Sequence, residues 1–211
     1  PETIGSITYL SKNYTHLKKS VIAGFNVTCI GDDRAYSYLP SRHGDTLSDV
    51  VAKHVLKFMC PNFITYSWND RGSDERQYCA PGIDLPVATI MRTKYGQYPE
   101  YHTSLDNLID VVTPNGLDGG YNAIKRAIEA IEFNVYPKVK VLCEPQMGKY
   151  GLYPTLSTKD ANLDVDLMMN LITWSDGNHS LIEISEKLGV SIFTLYPILD
   201  ILMKHDLIDL V

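Results

Sequence analysis

The sequence predicts an α/β fold in which a mixed, mostly parallel sheet is covered by helices and is followed by a small helical domain. Short β-branched, apolar segments alternate with helical patterns through residues 1–156, as is typical of such a sheet. Residues 144–158 are rich in Pro, Gly and Tyr and lack periodicity, and three helical patterns follow them. We therefore expect two domains, spanning residues 1–156 and 157–211.

Buried strands are predicted where apolar, β-branched residues run together between turn signals. The first predicted strand covers residues 21–30 (VIAGFNVTCI) and ends at the turn residues Gly31, Asp32 and Asp33. Three further strands are predicted at residues 63–67, 85–91 and 139–143.

Helices of the first domain are predicted from caps and from apolar faces. Residues 3–10 have helical character, and Thr46 can cap a helix that continues to Phe58. Ser104 can cap a short helix. A longer amphipathic helix is predicted at residues 117–133, and we expect its apolar side to consist of Tyr121, Ile124, Ile128 and Ile131.

The C-terminal domain is predicted to contain helices at residues 163–174, 180–188 and 191–205. This three-helix pattern resembles a winged helix. Residues 157–211 hold nine acidic and three basic residues, and the last helix carries only Lys204 opposite Asp200. Because nucleic-acid affinity comes largely from cations at phosphates, we expect no nucleic-acid partner and favour packing or protein docking.

Composition excludes several classes of protein. Hydrophobic residues make up 45% and charged residues 21%, as in ordinary globular proteins. No apolar run is long enough to predict a membrane span, and the first residues do not resemble a signal peptide. The four cysteines are widely spaced, which argues against a zinc ribbon or a disulfide-rich fold. We expect a cytoplasmic protein that does not bind membranes.

Three segments carry a resemblance to a known family. They are 73–75 (SDE), 81–86 (PGIDLP) and 98–106 (YPEYHTSLD), with a predicted strand between the second and the third. The same order is similar to that of zinc aminopeptidases of the co-catalytic two-metal type. The resemblance implies that His102 is a zinc ligand, a role that suits a neutral imidazole in a loop just past a strand.

The N-terminal residues resemble the segment in which this family carries two adjacent Glu residues, a general base and a zinc ligand. Aligned on Gly5, Glu2 takes the position of the base and Thr3 replaces the ligand. Shifted by one residue, Glu2 is the ligand and Pro1 replaces the base. Both alignments remain open. A further ligand, an Asp at the end of a strand, is replaced here by Thr28, and Asp32 or Asp33 is better explained as a turn residue.

A narrower resemblance is to bacterial aminopeptidase-like proteins that carry a C-terminal winged helix and accompany polysaccharide biosynthesis. It rests on residues 66–93 (YSWNDRGSDERQYCAPGIDLPVATIMRT) and 143–155 (CEPQMGKYGLYPT). For substrate binding we expect Asp74, Arg76 and Tyr101 to contribute. The guanidinium groups of Arg71, Arg76 and Arg92 could bind a carboxylate, or could instead form salt bridges with Asp70, Asp74 and Glu75.

Two functions are compatible with these residues. The first is a zinc-dependent aminopeptidase-like hydrolase that cleaves a peptide or amide bond, in a peptide or an aminoacyl small molecule, with metal-activated water. The second is a non-catalytic binding protein derived from the same fold and linked to polysaccharide biosynthesis. Because the family's first zinc His and its bridging Asp precede the Glu segment, we expect the chain to match only the C-terminal half of the domain. By itself the chain is then expected to be inactive and to associate with a missing N-terminal half or with another copy.

Overall fold

The computed structural model describes residues 2–152 and 159–211, without the side chains of residues 159–164. The chain forms two compact units, Pro1–Ile131 and Glu132–Val211. The predicted boundary between residues 156 and 157 lies outside the described residues. The structure divides the chain earlier because residues 137–139 pair with the last strand of the second unit.

The sheet of the first unit has four strands in the order β1-β4-β2-β3. They are β1 (Gly24–Val27), β2 (Ser37–Leu39), β3 (Ile64–Thr65) and β4 (Val87–Met91). β1 lies parallel to β4 and β2 lies parallel to β3, whereas β2 and β4 are antiparallel. The prediction of a mixed, mostly parallel sheet is confirmed, although β2 is too short to have been recognised from periodicity.

Four helices accompany this sheet, namely α1 (Ile4–Ser20), α2 (Leu47–Met59), α3 (Glu75–Tyr78) and α4 (Pro114–Glu132). α2 begins after Thr46 as predicted, and the carboxylate of Asp49 accepts hydrogen bonds from the backbone and the hydroxyl of Thr46. The carboxylate of Asp49 thus ties the residue before the helix to the first turn of α2.

α4 packs through small residues, which differs from the apolar side predicted for it. Tyr121 is 62% exposed and Ile128 is 50% exposed, whereas the buried positions are glycines and alanines. A Cβ atom at Gly116 would lie 1.9 Å from the carbonyl oxygen of Gly31, and one at Gly120 would lie 2.4 Å from that of Ile30. The glycines are therefore required for the helix to approach the backbone that follows β1.

The second unit contains β5 (Pro137–Val139), α5 (Lys159–Trp174), α6 (Leu181–Leu188), α7 (Ile192–Lys204) and β6 (Ile208–Leu210). β5 and β6 form an antiparallel pair. All three predicted helices of the C-terminal domain are present. Ser180 caps α6 in a reciprocal pair with Glu183, and the left-handed Gly189 ends that helix.

Two predicted elements differ from the structure. Residues 139–143 do not add a strand to the main sheet, because the strand at this point is β5 and its partner is β6. Ser104 begins no helix. Residues 101–111 form turns and bends, and the Asn107 side chain accepts hydrogen bonds from the backbone of Ile109 and Asp110. Such local hydrogen bonds compete with helix formation. Among the described residues, no helix has the length and apolar character needed to cross a membrane.

Candidate functional site

The candidate site lies beyond the carboxyl end of β1, where β1 and β4 run side by side. In open α/β sheets, ligands bind at this edge because the connecting loops diverge there. The backbone amide of Arg92 donates to the carbonyl oxygen of Cys29 at 2.8 Å, so the two strand ends stay together. Thr28 and Cys29 follow β1 directly, and the segment that contains His102 follows β4.

The N-terminus of α1 is tied to the segment that precedes α3. The hydroxyl of Ser73 donates a hydrogen bond of 2.6 Å to Oε1 of Glu2. One carboxylate oxygen of Asp74 accepts from the backbone amide of Thr3 and from the hydroxyl of Ser6. Arg76 donates to the hydroxyl of Thr3 at 2.7 Å. Asp74 and Arg76, both expected to contact substrate, thus lie in contacts with α1 that hold Glu2 in place.

Glu75 is fully buried and anchors this segment to the sheet. Its Oε2 accepts from the side-chain amide of Asn26 in β1 at 2.8 Å, and its Oε1 accepts from the hydroxyl of Tyr95 at 3.0 Å. The backbone amides of Gly72 and Ser73 complete the set. Burial, followed by the nearby charge of Glu75, raises the pKa of Tyr95, which keeps that hydroxyl protonated as a donor. Glu75 is therefore structural.

The loop that contains His102 is organised by aromatic stacking. His102 is exposed, has a φ of 59°, and stacks on Tyr101 with ring centroids 3.9 Å apart. Tyr98 lies edge-on to Tyr101, and its hydroxyl donates to Asp106 at 3.0 Å. Such packing presents the imidazole at the surface, in a backbone conformation that non-glycine residues rarely adopt.

Electrostatics link this loop to the N-terminus of α1. Burial raises the pKa of Tyr101, and the negative charges of Glu2 and Asp106 raise it further. Burial also raises the pKa of the Cys29 thiol, which keeps it protonated and weakens it as a nucleophile or metal ligand. Glu2 is thus held by Ser73, and its charge contributes to the raised pKa of Tyr101 in the loop that contains His102.

A zinc centre requires at least three protein ligands, and the described residues contain no group of three His, Cys, Asp or Glu side chains that could hold a metal ion. Thr28 donates its hydroxyl to Cys29. Both carboxylate oxygens of Asp32 accept hydrogen bonds from Thr93, and one of them also accepts from Arg34. Pro1 lies outside the described residues. The described donor set does not fit a complete zinc site, and we derive no catalytic step through zinc.

The three arginines that the sequence suggested as carboxylate ligands lie in different settings. Arg71 is exposed and stacks over Trp68, and Arg76 contacts Thr3. Arg92 is buried and stacks over Tyr36. Sequence reasoning did not identify Tyr36 as a partner of Arg92, because the two meet only through the antiparallel pairing of β2 with β4.

Comparisons with known proteins agree with this architecture. A family described as a domain of unknown function (DUF4910) matches residues 1–134, and a winged helix-turn-helix family matches residues 134–210. A polysaccharide biosynthesis protein with an aminopeptidase-like domain, from Clostridium acetobutylicum, is 37% identical over 213 residues, which cover 100% of this chain and 48% of that protein. The chain thus spans about half the length of the curated relative it matches.

Comparison with solved structures supports the same family resemblance. A crystal structure described as that of a peptidase from Clostridium acetobutylicum superposes with a TM-score of 0.89 at 35% identity, over 100% of this chain and 47% of that chain. These matches confirm the predicted resemblance to winged-helix proteins with an aminopeptidase-like domain. The chain belongs to the DUF4910 family, whose model matches residues 1–134, and its residues 134–210 match a winged helix-turn-helix family.

Proposed function

We propose that the peptidase-like unit recognises a peptide or an aminoacyl small molecule beyond the carboxyl end of β1. The observation that carries this proposal is the hydrogen bond of 2.6 Å by which Ser73 orients the exposed carboxylate of Glu2, whose charge contributes to the raised pKa of Tyr101. An exposed carboxylate such as that of Glu2 can accept hydrogen bonds from the free ammonium group of such a substrate. The stacked rings of Tyr101 and His102 offer a flat aromatic surface on which a side chain of the ligand can pack.

The hydrolase form of this proposal assigns His102 as one zinc ligand and Glu2 as a second ligand or as the general base. Zinc would supply an activated water molecule for cleavage of an amide bond. Because Glu2 and His102 are too few for a zinc site, this form requires further ligands from outside the described residues. The peptidase-like fold and the lengths of the relatives support it.

The second candidate is a non-catalytic binding protein linked to polysaccharide biosynthesis. The specific observation in its favour is Thr28, whose neutral hydroxyl stands where the resemblance implies a metal-binding Asp and donates to Cys29 instead. In this form the same surface binds its ligand without cleavage.

Metal analysis of the natural protein that contains this chain separates the two candidates. The hydrolase form predicts stoichiometric zinc after purification without chelators, and loss of that zinc in His102→Ala. His16→Ala is the matched control, because His16 is an exposed histidine of α1 whose ring Nδ1 lies 3.4 Å from the hydroxyl of Ser20. Zinc-free protein that still binds an aminoacyl ligand supports the second candidate. Absence of both zinc and ligand binding contradicts the proposal.

A further inference from the structure

The second unit contains a mostly apolar cavity of about 400 Å³ between α7 and the pair formed by β5 and β6. Four residues of α7 line it, namely Tyr196, Leu199, Asp200 and Met203. Their spacing of three, four and seven positions places them on one face of the helix. Leu210 of β6 and side chains that precede β5 complete the wall. The cavity is therefore built from both parts of the winged-helix fold.

Several large apolar side chains of this cavity are open to solvent. Phe133 is 56% exposed, Met203 is 39% exposed and Leu210 is 42% exposed, whereas Leu199 is buried. The ring of Phe133 packs against that of Tyr196, with centroids 5.3 Å apart, so the aromatic wall is held in place. Single exposed apolar residues are common, but a group of them around one concave surface is typical of an interaction site.

The charge of this region limits the kind of partner that it can bind. Asp200 is exposed and is the only charged side chain among the described residues that line the cavity. Its carboxylate forms no ion pair within the described part of the chain. Residues 132–211 as a whole hold eleven acidic and six basic residues. Nucleic acids, anionic membranes and a second copy of this acidic region are therefore disfavoured, whereas a cationic partner is attracted.

We propose that the cavity binds an amphipathic, positively charged helix of a partner protein. The apolar side of such a helix would pack on Phe133, Met203 and Leu210, as helices do in apolar grooves. The flexible thioether of Met203 suits a surface that must adapt to a bound side chain. A Lys or Arg beside the apolar side of the helix would pair with Asp200. This interaction surface goes beyond the proposed recognition of a peptide or aminoacyl molecule, because it shares no residue with that site.

Three synthetic peptides of equal length test the proposal with the natural protein that contains this chain. The first consists of Leu and Lys arranged as an amphipathic helix, and the second has Glu in place of every Lys. The third has the composition of the first in an order that forms no apolar side. By fluorescence anisotropy, we expect the first to bind with a Kd in the micromolar range and the other two at least about tenfold more weakly. Added salt should weaken the binding of the first peptide.

Variants locate this binding on the cavity. Met203→Gln and Phe133→Gln should each weaken the first peptide at least about fivefold, because they remove apolar contact from the interface. Ile201→Gln is the matched control, since Ile201 is 37% exposed on the same helix but does not line the cavity. Asp200→Asn should weaken binding about threefold and reduce its salt dependence. Asp166→Asn makes the same change of charge at an exposed position of α5 and should leave both unchanged.

Four results would each overturn the proposal. The peptide with Glu, or the one without an apolar side, binds as tightly as the first. Met203→Gln and Phe133→Gln both keep the affinity of the wild-type protein. The natural protein binds none of the peptides, because the cavity is then covered or has no such partner. The natural protein forms a dimer that Met203→Gln dissociates, because the occupant is then a second copy. None of these results depends on zinc content or on the binding of an aminoacyl ligand.

Discussion

The hydroxyl of Ser73 donates a hydrogen bond of 2.6 Å to the carboxylate of Glu2, although 71 positions separate the two residues. This contact, together with those of Asp74 to Thr3 and Ser6, fixes the start of α1 beside the segment that precedes α3. It orients an exposed carboxylate that would otherwise sample many rotamers. An oriented carboxylate is suited to bind an ammonium group or to act as a base.

If the hydrolase form holds, Glu2→Gln in the natural protein should lower turnover of aminoacyl-nitroanilides by about 10²- to 10⁴-fold, because an amide cannot accept a proton. Ser73→Ala should have a smaller effect, since it removes only the hydrogen bond that orients the carboxylate. Glu132→Gln, at an exposed position, serves as the control. Activity retained in Glu2→Gln would exclude a role as base.

Asp49 predicts a pH dependence of folding. Burial raises its pKa, but hydrogen bonds from Ser41, Thr46 and Tyr38 outweigh burial and lower it below the ordinary value. Because the folded pKa is depressed, the contribution of Asp49 is complete above its unfolded pKa of about 3.9 and is lost as the pH falls through the folded value. Urea denaturation between neutral and acidic pH should show this decline below about pH 4.

Substitution of the same residue tests the assignment. Asp49→Asn should reduce the free energy of unfolding at neutral pH by roughly 2–3 kcal/mol. The NH₂ group of the new asparagine would face hydroxyl and backbone donors that need an acceptor. The substitution should also flatten the acidic part of the stability profile. Asp45→Asn is the control, as Asp45 is an exposed neighbour. Equal effects of the two substitutions would show that the hydrogen bonds to Asp49 contribute little.

Gly116 tests the close approach of α4 to the chain beyond β1. A Cβ atom there would lie 1.9 Å from the carbonyl oxygen of Gly31 and 2.6 Å from the carbonyl carbon of Asp32. Gly116→Ala should therefore lower the free energy of unfolding by about 3 kcal/mol, despite the better helix propensity of alanine. Chemical denaturation measures the change. Lys125→Ala, on the exposed side of α4, should change it by less than about 0.5 kcal/mol.

Because the winged-helix region is acidic, we expect it to interact only weakly with DNA. Residues 157–211 carry nine acidic and three basic residues, and α7 holds Lys204 as its single Lys or Arg. In a gel-shift or anisotropy assay with duplex DNA at physiological salt, we expect no binding at micromolar protein. Many basic DNA-binding proteins bind even non-specific DNA with a Kd on the order of 10⁻⁴–10⁻⁶ M. Salt-sensitive binding at lower concentration would overturn the prediction.

Local capping signals identified three helix starts correctly, whereas the same signal at Ser104 did not. Thr46, Ser180 and Ser191 were expected to begin helices, and α2, α6 and α7 each start after one of them. The prediction of which side of α4 is buried was wrong. A helix that packs closely against backbone buries its Gly and Ala residues rather than its large ones. Periodicity counts apolar residues and does not measure how closely two elements approach.

What the sequence determined by itself is the alternation of strands and helices in the first unit, the winged helix and the family motif around His102, because capping, periodicity and motif spacing act over a few residues. The tertiary structure alone decided which carboxylates are already engaged, that β5 pairs with β6, and that Arg92 lies buried against Tyr36. Those relationships join residues far apart in the chain, and they depend on which elements pack together, a property that no local pattern encodes.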